Sequence, residues 1–240
     1  MSEAISTQGL TKTDGRKTAL RDLSLSVECG TVFGLLGANG AGKSTAIECI
    51  LGVRDMDAGQ VRLLGQEPRH ERGALFQKIG VQFQEGDYER EIRVRELCEE
   101  TACLYESPAD WRALCCQFGI GDRLDAPVRS LSGGQRQRLF IVLALIPQPQ
   151  LVFLDELTTG LDAKARRGVW KQLETLKAHG LTIFLTSHFM DEVEVLCDKI
   201  CILKEGNAVF QGSVEEAKRQ CGCARFEDAY LMLADEEAGA

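Results

Sequence analysis

A glycine-rich run between a predicted strand and a predicted helix constrains this chain more than any other feature. Residues 32–36 are mostly apolar and are followed by glycine, which predicts a buried strand, and residues 43–51 have the pattern of a helix. Glycines allow backbone N–H groups to converge on phosphate oxygens, and a helix N-terminus adds partial positive charge. The run therefore predicts a phosphate-binding loop in an α/β fold. It consists of Gly37, Ala38, Asn39, Gly40, Ala41, Gly42, Lys43, Ser44 and Thr45.

The periodicity of the remaining chain predicts alternating strands and helices. Residues 23–27 alternate between apolar and polar, as in a half-exposed antiparallel strand. A helix at 164–179 separates two buried strands, which indicates a parallel, doubly wound sheet. The other predicted elements are strands at 60–64, 79–83, 151–154 and 181–185, helices within 94–118, a hairpin of 200–203 and 208–210, and an amphipathic segment at 226–233.

The charge and hydropathy of the chain narrow the classes of partner. Lys and Arg number 28 against 36 Asp and Glu, which gives a net charge of −8 at pH 7, so we expect no nucleic-acid partner. No apolar run approaches the roughly 20 residues that span a bilayer. The first 18 residues lack the apolar core of a signal peptide. We therefore expect a cytoplasmic chain that is soluble by itself.

Two carboxylates follow the predicted strand at 151–154. Buried acids are costly unless they are paired, and a metal ion together with a water would give both residues a use. Asp155 would hold Mg²⁺ directly or through water, and Glu156 would polarise the water that attacks a γ phosphate. Acids also open many solvated loops. The phosphate-binding loop in the same chain favours the catalytic interpretation.

A second small turn has the chemistry of an anion site. Residues 131–135 read Leu-Ser-Gly-Gly-Gln and precede a helical run over 136–146, so a hydroxyl and two glycine amides stand at a helix start. Such a turn is either an ordinary helix cap or a contact offered to a nucleotide on another copy of the chain.

Taken in order, the phosphate-binding loop, residues 131–135, the strand with its two acids and the segment Thr186-Ser187-His188 resemble the ATP-binding subunit of ABC transporters. The resemblance covers about residues 10–212. It implies a P-loop NTPase fold of class α/β with a mostly parallel central sheet, an N-terminal antiparallel β subdomain and a small α-helical subdomain. It also implies hydrolysis of ATP with Mg²⁺ in a head-to-tail homodimer that drives a separately encoded transmembrane permease.

The resemblance assigns roles residue by residue. Gln84 matches the loop glutamine, with Gln82 as the competing assignment, and His188 matches the switch histidine. The implied catalytic residues are Glu156, His188, Gln84 and Lys43, and the implied Mg²⁺ ligands are Ser44, Gln84 and Asp155. The implied ATP contacts are the nine residues of the phosphate-binding loop together with Ser132, Gly133, Gly134, Gln135 and Asp162, the last of these in the loop that crosses the dimer.

The resemblance implies one ABC ATPase domain. Residues 1–84 and 150–215 would form a RecA-like core with the antiparallel β part, 85–149 a helical subdomain, and 216–240 a short C-terminal helical tail. The charged stretch at 85–100 is either a solvated helix face or the groove for a permease helix. We expect the chain on the inner face of the cell membrane, and its details are most similar to drug-export and ABC-2-type ATPases. The alternative is a soluble ABC ATPase that acts as a clamp on ribosomes or DNA.

Two positions depart from the family pattern. Residues 14–20 contain no aromatic side chain to stack on adenine near Asp14, which leaves Arg16 or Lys17 to cover the base. Leu157 stands where the family tends to have proline, which predicts a less rigid loop after Glu156.

Overall fold

The computed structural model describes residues 2–15, 17–82 and 91–234. Its strands are β1 (Glu3–Asp14), β2 (Lys17–Glu28), β3 (Val32–Leu36), β4 (Ala58–Leu63), β5 (Ile79–Gln82), β6 (Leu151–Leu154), β7 (Thr182–Thr186), β8 (Lys199–Lys204) and β9 (Asn207–Gly212). Its α-helices are α1 (Lys43–Ile50), α2 (Arg72–Phe76), α3 (Val94–Ala102), α4 (Trp111–Gln117), α5 (Gly133–Leu145), α6 (Ala163–Ala178), α7 (Met190–Leu196), α8 (Val214–Cys221) and α9 (Phe226–Ala234). No helix in these ranges is long and apolar enough to cross a membrane.

The central sheet has six strands in the order β5-β6-β7-β3-β8-β9. All neighbours are parallel except β8 and β9, which form the predicted antiparallel hairpin. Side chains alternate between two cores: Phe153 and Phe184 pack beneath the second sheet, whereas Val152 and Ile183 pack beneath the helices. The predicted class, α/β with a mostly parallel central sheet, is confirmed. The sequence reveals it because a strand that is buried on both faces needs apolar side chains at every position.

A second sheet, in the order β2-β1-β4, is antiparallel throughout. Strand β1 is absent from the sequence-based prediction. The polar residue Thr7 occupies a buried position in it, and its register against β2 shifts between Thr7 and Leu10, so the strand lacks a regular apolar alternation. The buried Thr7 hydroxyl donates to the Leu23 carbonyl at 3.0 Å and accepts from the Leu25 N–H at 2.8 Å, so its polarity is satisfied. The strand at 23–27 alternates as predicted but begins earlier, at Lys17.

The helical part packs on the opposite face of the central sheet. Asp110 caps α4 by accepting from the Arg112 and Ala113 N–H groups. Leu104 lies within the stretch of 94–118 for which helices are predicted, but it is 70% exposed, because α3 already ends at Ala102. Helices α2 and α7, with five and seven residues, are absent from the sequence-based prediction, whereas most of α8 lies in the helical tail predicted for 216–240.

Candidate functional site

The phosphate-binding loop and the two acids meet because the strands that precede them are neighbours. β3 runs into Gly37, β6 into Asp155 and β7 into Ser187, and these three strands lie side by side and parallel. Their carboxyl ends therefore open at one edge of the sheet, which is where ligands bind in open α/β folds.

Backbone crowding requires glycine at two positions of the loop. A Cβ on Gly37 would lie 2.4 Å from the Leu203 carbonyl oxygen, and one on Gly42 would lie 2.4 Å from the Ala19 carbonyl oxygen. Both residues also have positive φ, 149° and 109°. Gly42 is the residue that precedes helix α1, whose first turn contains no acid. The positive end of α1 therefore faces the loop without an acid in its own first turn.

Lys43 lies over the loop that it follows. Its Nζ donates to the carbonyl oxygens of Gly37 at 2.8 Å and Ala38 at 3.1 Å. Burial lowers the pKa of Lys43, whereas the charges of Asp155 and Glu156 raise it. The ammonium group is thus held between the backbone of the loop and the two acids.

Asp155 is a buried carboxylate, 9% exposed, fixed from two neighbouring strands. The Thr186 hydroxyl donates to its Oδ1, and the Gln82 Nε2 donates to its carbonyl oxygen at 3.1 Å. Burial raises the pKa of Asp155, and the Thr186 hydroxyl opposes this most strongly. The amide of Gln82, the competing candidate for the loop glutamine, therefore contacts the backbone of Asp155.

Glu156 has a left-handed backbone, with φ of 50°, which is unusual away from glycine and clusters at functional sites. The Thr186 hydroxyl stabilises this conformation by accepting from the Glu156 N–H at 2.9 Å. Gln137 Nε2 donates to the Glu156 carbonyl at 3.2 Å and the Leu157 carbonyl at 2.8 Å. Leu157 itself is fully buried, and its N–H donates to the Thr186 carbonyl at 3.4 Å, a bond that proline cannot make. The loop without proline is thus held by side-chain and backbone hydrogen bonds.

These groups surround a cavity of about 400 Å³. Its lining residues are Asp14, Lys17, Ala19, Asn39, Gly40, Gly42, Lys43, Ser44, Thr45, Asp155 and Glu156. Of these residues, Asp14 forms an ion pair with Arg54 at 2.6 Å. None of the lining residues, all within the described ranges, is aromatic, and Arg16 lies outside those ranges.

The glycine turn at 131–135 forms a separate group, away from this cavity. Ser132 caps α5: its hydroxyl accepts from the Gln135 N–H at 3.2 Å, while its own N–H donates to Gln135 Oε1 at 3.0 Å. Ser132 and Gly133 are exposed. A Cβ on Gly134 would come within 3.0 Å of Leu161, so the turn packs against the loop that Asp162 ends as the cap of α6. The structure therefore brings residues 131–135 together with the loop before Asp162, and it leaves Ser132 and Gly133 exposed.

The remaining predicted residues follow β7 and β5. His188 is exposed one residue beyond the buried Ser187, and its ring lies 4.1 Å from the Phe189 ring, centroid to centroid. Gln84 lies outside the described residues. Thr186 and Gln137 were missed as site residues, although Thr186 belongs to the segment that carried the resemblance. No local pattern marks either residue, because each acts on a part of the chain 19 or more positions away.

Comparisons with known proteins agree with this geometry. A family model described as ABC transporter matches residues 20–159, more than half of the chain. The Nod factor export ATP-binding protein I of Ralstonia nicotianae is 39% identical over 226 residues, which cover 91% of this chain and 70% of that protein. Its namesake from Rhizobium sp. strain N33 is 42% identical over 216 residues, covering 88% and 71%.

A solved structure of an ATP binding subunit of an ABC transporter superposes with a TM-score of 0.88 at 25% identity, covering 97% of this chain and all of the other. A bacterial Atm1-family ABC exporter with ATP bound, 21% identical, shares the fold with a TM-score of 0.83 over 98% of this chain and 43% of its own. The chain therefore belongs to the ABC transporter family, as an ATP-binding and ATP-hydrolysing subunit.

Proposed function

We propose that this subunit energises export through a separate transmembrane permease, acting with Mg²⁺ as a head-to-tail homodimer on the cytoplasmic face of the membrane. Export is supported by the names of the relatives, which are ATP-binding proteins of Nod factor export. The observation that carries the ATPase mechanism is the single cavity that joins the phosphate-binding loop to Asp155 and Glu156.

The donors around Asp155 fit Mg²⁺. The buried carboxylate has a pKa raised by burial, so it favours a cation close by, and the exposed Ser44 hydroxyl lines the same cavity. Carboxylate and hydroxyl oxygens are the ligands that this hard cation takes. Ser44 and Asp155 would hold the ion, with Gln84 as the proposed third residue, and the ion would neutralise charge on the phosphates.

The proposed reaction divides the work among four side chains. Lys43 stands over the loop and would bind the β and γ phosphates, and the loop amides would hold their oxygens. Glu156, which follows the carboxyl end of β6, would orient and polarise the attacking water. His188 and Gln84 would contact the γ phosphate and the water from the ends of β7 and β5. Because phosphoryl transfer depends on position and charge more than on covalent chemistry, rigid anchoring of Glu156 matters most.

The proposed dimer uses the open face of residues 131–135. A turn that lies outside its own cavity, yet presents two glycine amides at the start of a 13-residue helix, suits a phosphate bound elsewhere. Ser132, Gly133 and Gly134 would close over the γ phosphate of the other copy, with Gln135 beside them and Asp162 at the crossing loop. The division into residues 1–84 with 150–215, 85–149 and 216–240 is part of this proposal, and the helical unit would transmit closure to the permease.

The variant Glu156→Gln tests the proposed mechanism. The amide has nearly the same shape but is a poor base, so we expect kcat to fall by at least about 100-fold while ATP still binds. Steady-state phosphate release gives kcat, and filter binding with labelled ATP gives affinity. Glu174→Gln, on the solvent-facing side of α6, is the matched control. Normal hydrolysis by Glu156→Gln would overturn the mechanism.

A further inference from the structure

A second buried acid lies close to the proposed site without facing its cavity. Glu192 in α7 has no exposed surface, and among the acids of the described residues only Asp155, at 9% exposed, is also buried. An acid in this place is costly, and an apolar residue of similar volume would avoid that cost. Its presence therefore needs an explanation in what the carboxylate binds.

The carboxylate of Glu192 joins two donors from different segments. Its Oε1 accepts from the Thr158 hydroxyl at 2.7 Å and from the Trp170 indole N–H at 2.8 Å. Its Oε2 has no hydrogen-bond partner in the described part of the chain. Burial raises the pKa of Glu192, and the nearby groups of Ser187, Thr158 and Trp170 oppose this.

The segments joined in this way are the ones that carry the proposed catalytic residues. Thr158 follows Glu156 by two positions and is itself fully buried. Trp170 belongs to α6, the helix capped by Asp162. Glu192 stands four positions after His188, in the first turn of α7. One carboxylate oxygen thus connects the loop after Glu156, the helix after the crossing loop and the helix after His188.

A second set of contacts fixes α6 against α7 beside this carboxylate. The Arg166 guanidinium lies 4.5 Å from the centre of the Phe189 ring and 3.4 Å from the Asp191 carboxylate. Phe189 is the residue that precedes α7 and adjoins His188. The start of α7 is therefore already packed against α6, and Glu192 adds the hydrogen bond that extends to Thr158.

We propose that Glu192 is a positioning residue for hydrolysis, which holds the turn of His188 at a fixed distance from the loop of Glu156. The inference rests on the proposed function, because the roles of these two residues are assigned there. A displacement of about 1 Å in reacting groups can lower a rate by about 100-fold, so loss of this link should lower kcat and leave nucleotide binding intact.

The test compares variants that keep or remove the acceptor. Glu192→Gln retains an oxygen for both donors, whereas Glu192→Leu fills the volume without an acceptor. Glu194→Gln, on the same helix in an exposed ion pair with Lys218 at 2.9 Å, is the matched control. Thr158→Val removes one donor and keeps the shape, and Trp170→Phe removes the other donor but replaces the indole with a smaller ring. Both variants test the same link if Glu192→Leu does not fold. The measurements are kcat and KM for MgATP with the melting temperature of each variant.

We expect Glu192→Leu to lower kcat by about tenfold to 100-fold with KM within about threefold of the unaltered chain, and Glu192→Gln to recover most of the activity. Thr158→Val and Trp170→Phe should each lower kcat, and their effects should not add, because both donors act through one oxygen. Unchanged kcat in folded Glu192→Leu, or in both donor variants, overturns the inference. If Glu156→Gln is inactive in the same assay, the proposed function survives that result, and hydrolysis by Glu156→Gln overturns both.

Discussion

Removal of the Thr186 hydroxyl should affect both stability and Mg²⁺ binding, because this one group bonds Asp155 and Glu156. It donates to the Asp155 carboxylate and accepts from the Glu156 N–H at 2.9 Å. Thr186→Val keeps the shape and removes both bonds. A hydrogen bond to a charged group contributes about 1.5–3 kcal/mol and a neutral one about 1 kcal/mol, so the site loses about 2–4 kcal/mol. For a chain of this size that corresponds to roughly 5–15 °C in melting temperature.

The functional effect of Thr186→Val follows from the same contacts. Loss of the donor raises the pKa of Asp155 further, so the ionised form that would bind Mg²⁺ is less favoured. We expect the Mg²⁺ concentration for half-maximal ATPase activity to rise by about tenfold, which equals about 1.4 kcal/mol. Titration of ATPase activity with Mg²⁺ at fixed ATP measures this, and Thr186→Ser should behave like the unaltered chain.

Thr182→Val is the matched control for stability alone. Thr182 lies on the same strand and is buried, but its hydroxyl accepts from the Gly30 N–H at 2.9 Å, at the far end of β7. This variant should lose stability without a change in Mg²⁺ dependence. The reasoning is refuted if Thr186→Val keeps the Mg²⁺ dependence of the unaltered chain, or if Thr182→Val alters it equally.

Two further predictions concern Asp155 and Asp14, which both line the cavity. Burial raises the pKa of Asp155 in the folded chain, so its ionisation opposes folding above the ordinary aspartate range. Asp155→Asn should therefore melt higher than the unaltered chain at neutral pH without nucleotide. This gain should shrink as the pH falls through the raised pKa toward the ordinary value, and MgATP should stabilise the variant less; melting curves across pH measure both. Because none of the described residues that line the cavity is aromatic, ATP and GTP should have KM values within about threefold of each other. Asp14→Tyr should lower the KM for ATP by about tenfold through stacking, as competition assays would show.

The fold class could be predicted from the sequence, because the strands and helices that define it leave local patterns of apolar and turn residues. The apolar run at 151–154 and the hairpin of 200–203 and 208–210 can be predicted from the local order of apolar and turn residues. The glycine loop is recognised by the strand before it and the helix after it. Strand β1 could not be predicted in this way, since its buried Thr7 is satisfied only by β2 and its register shifts near Gly9. Tertiary partners decide such a segment.

The candidate site was predictable to a different degree. Gly37, Asp155 and Ser187 lie together because each follows one of three parallel, neighbouring strands, as the family resemblance implies. The catalytic roles assigned to the residues at these strand ends stay predictions until variants are measured. Thr186, Gln137 and Glu192 were beyond prediction, because each contacts a segment far along the chain. The absence of proline at Leu157 led us to expect a less rigid loop after Glu156. Hydrogen bonds from Gln137 to the backbone and from the Leu157 N–H to the Thr186 carbonyl instead hold this loop in place.

In the proposed dimer, the phosphate-binding loop is half of a site that a second copy of the chain completes. Light scattering of the Glu156→Gln chain with MgATP tests this most directly, because trapped ATP should hold the dimer together. We expect the mass of 26.4 kDa to double on addition of MgATP, and we expect Ser132→Arg in the same chain to prevent the doubling while ATP still binds. A mass that stays at 26.4 kDa with ATP bound, or a dimer that forms equally well with Ser132→Arg, would contradict it.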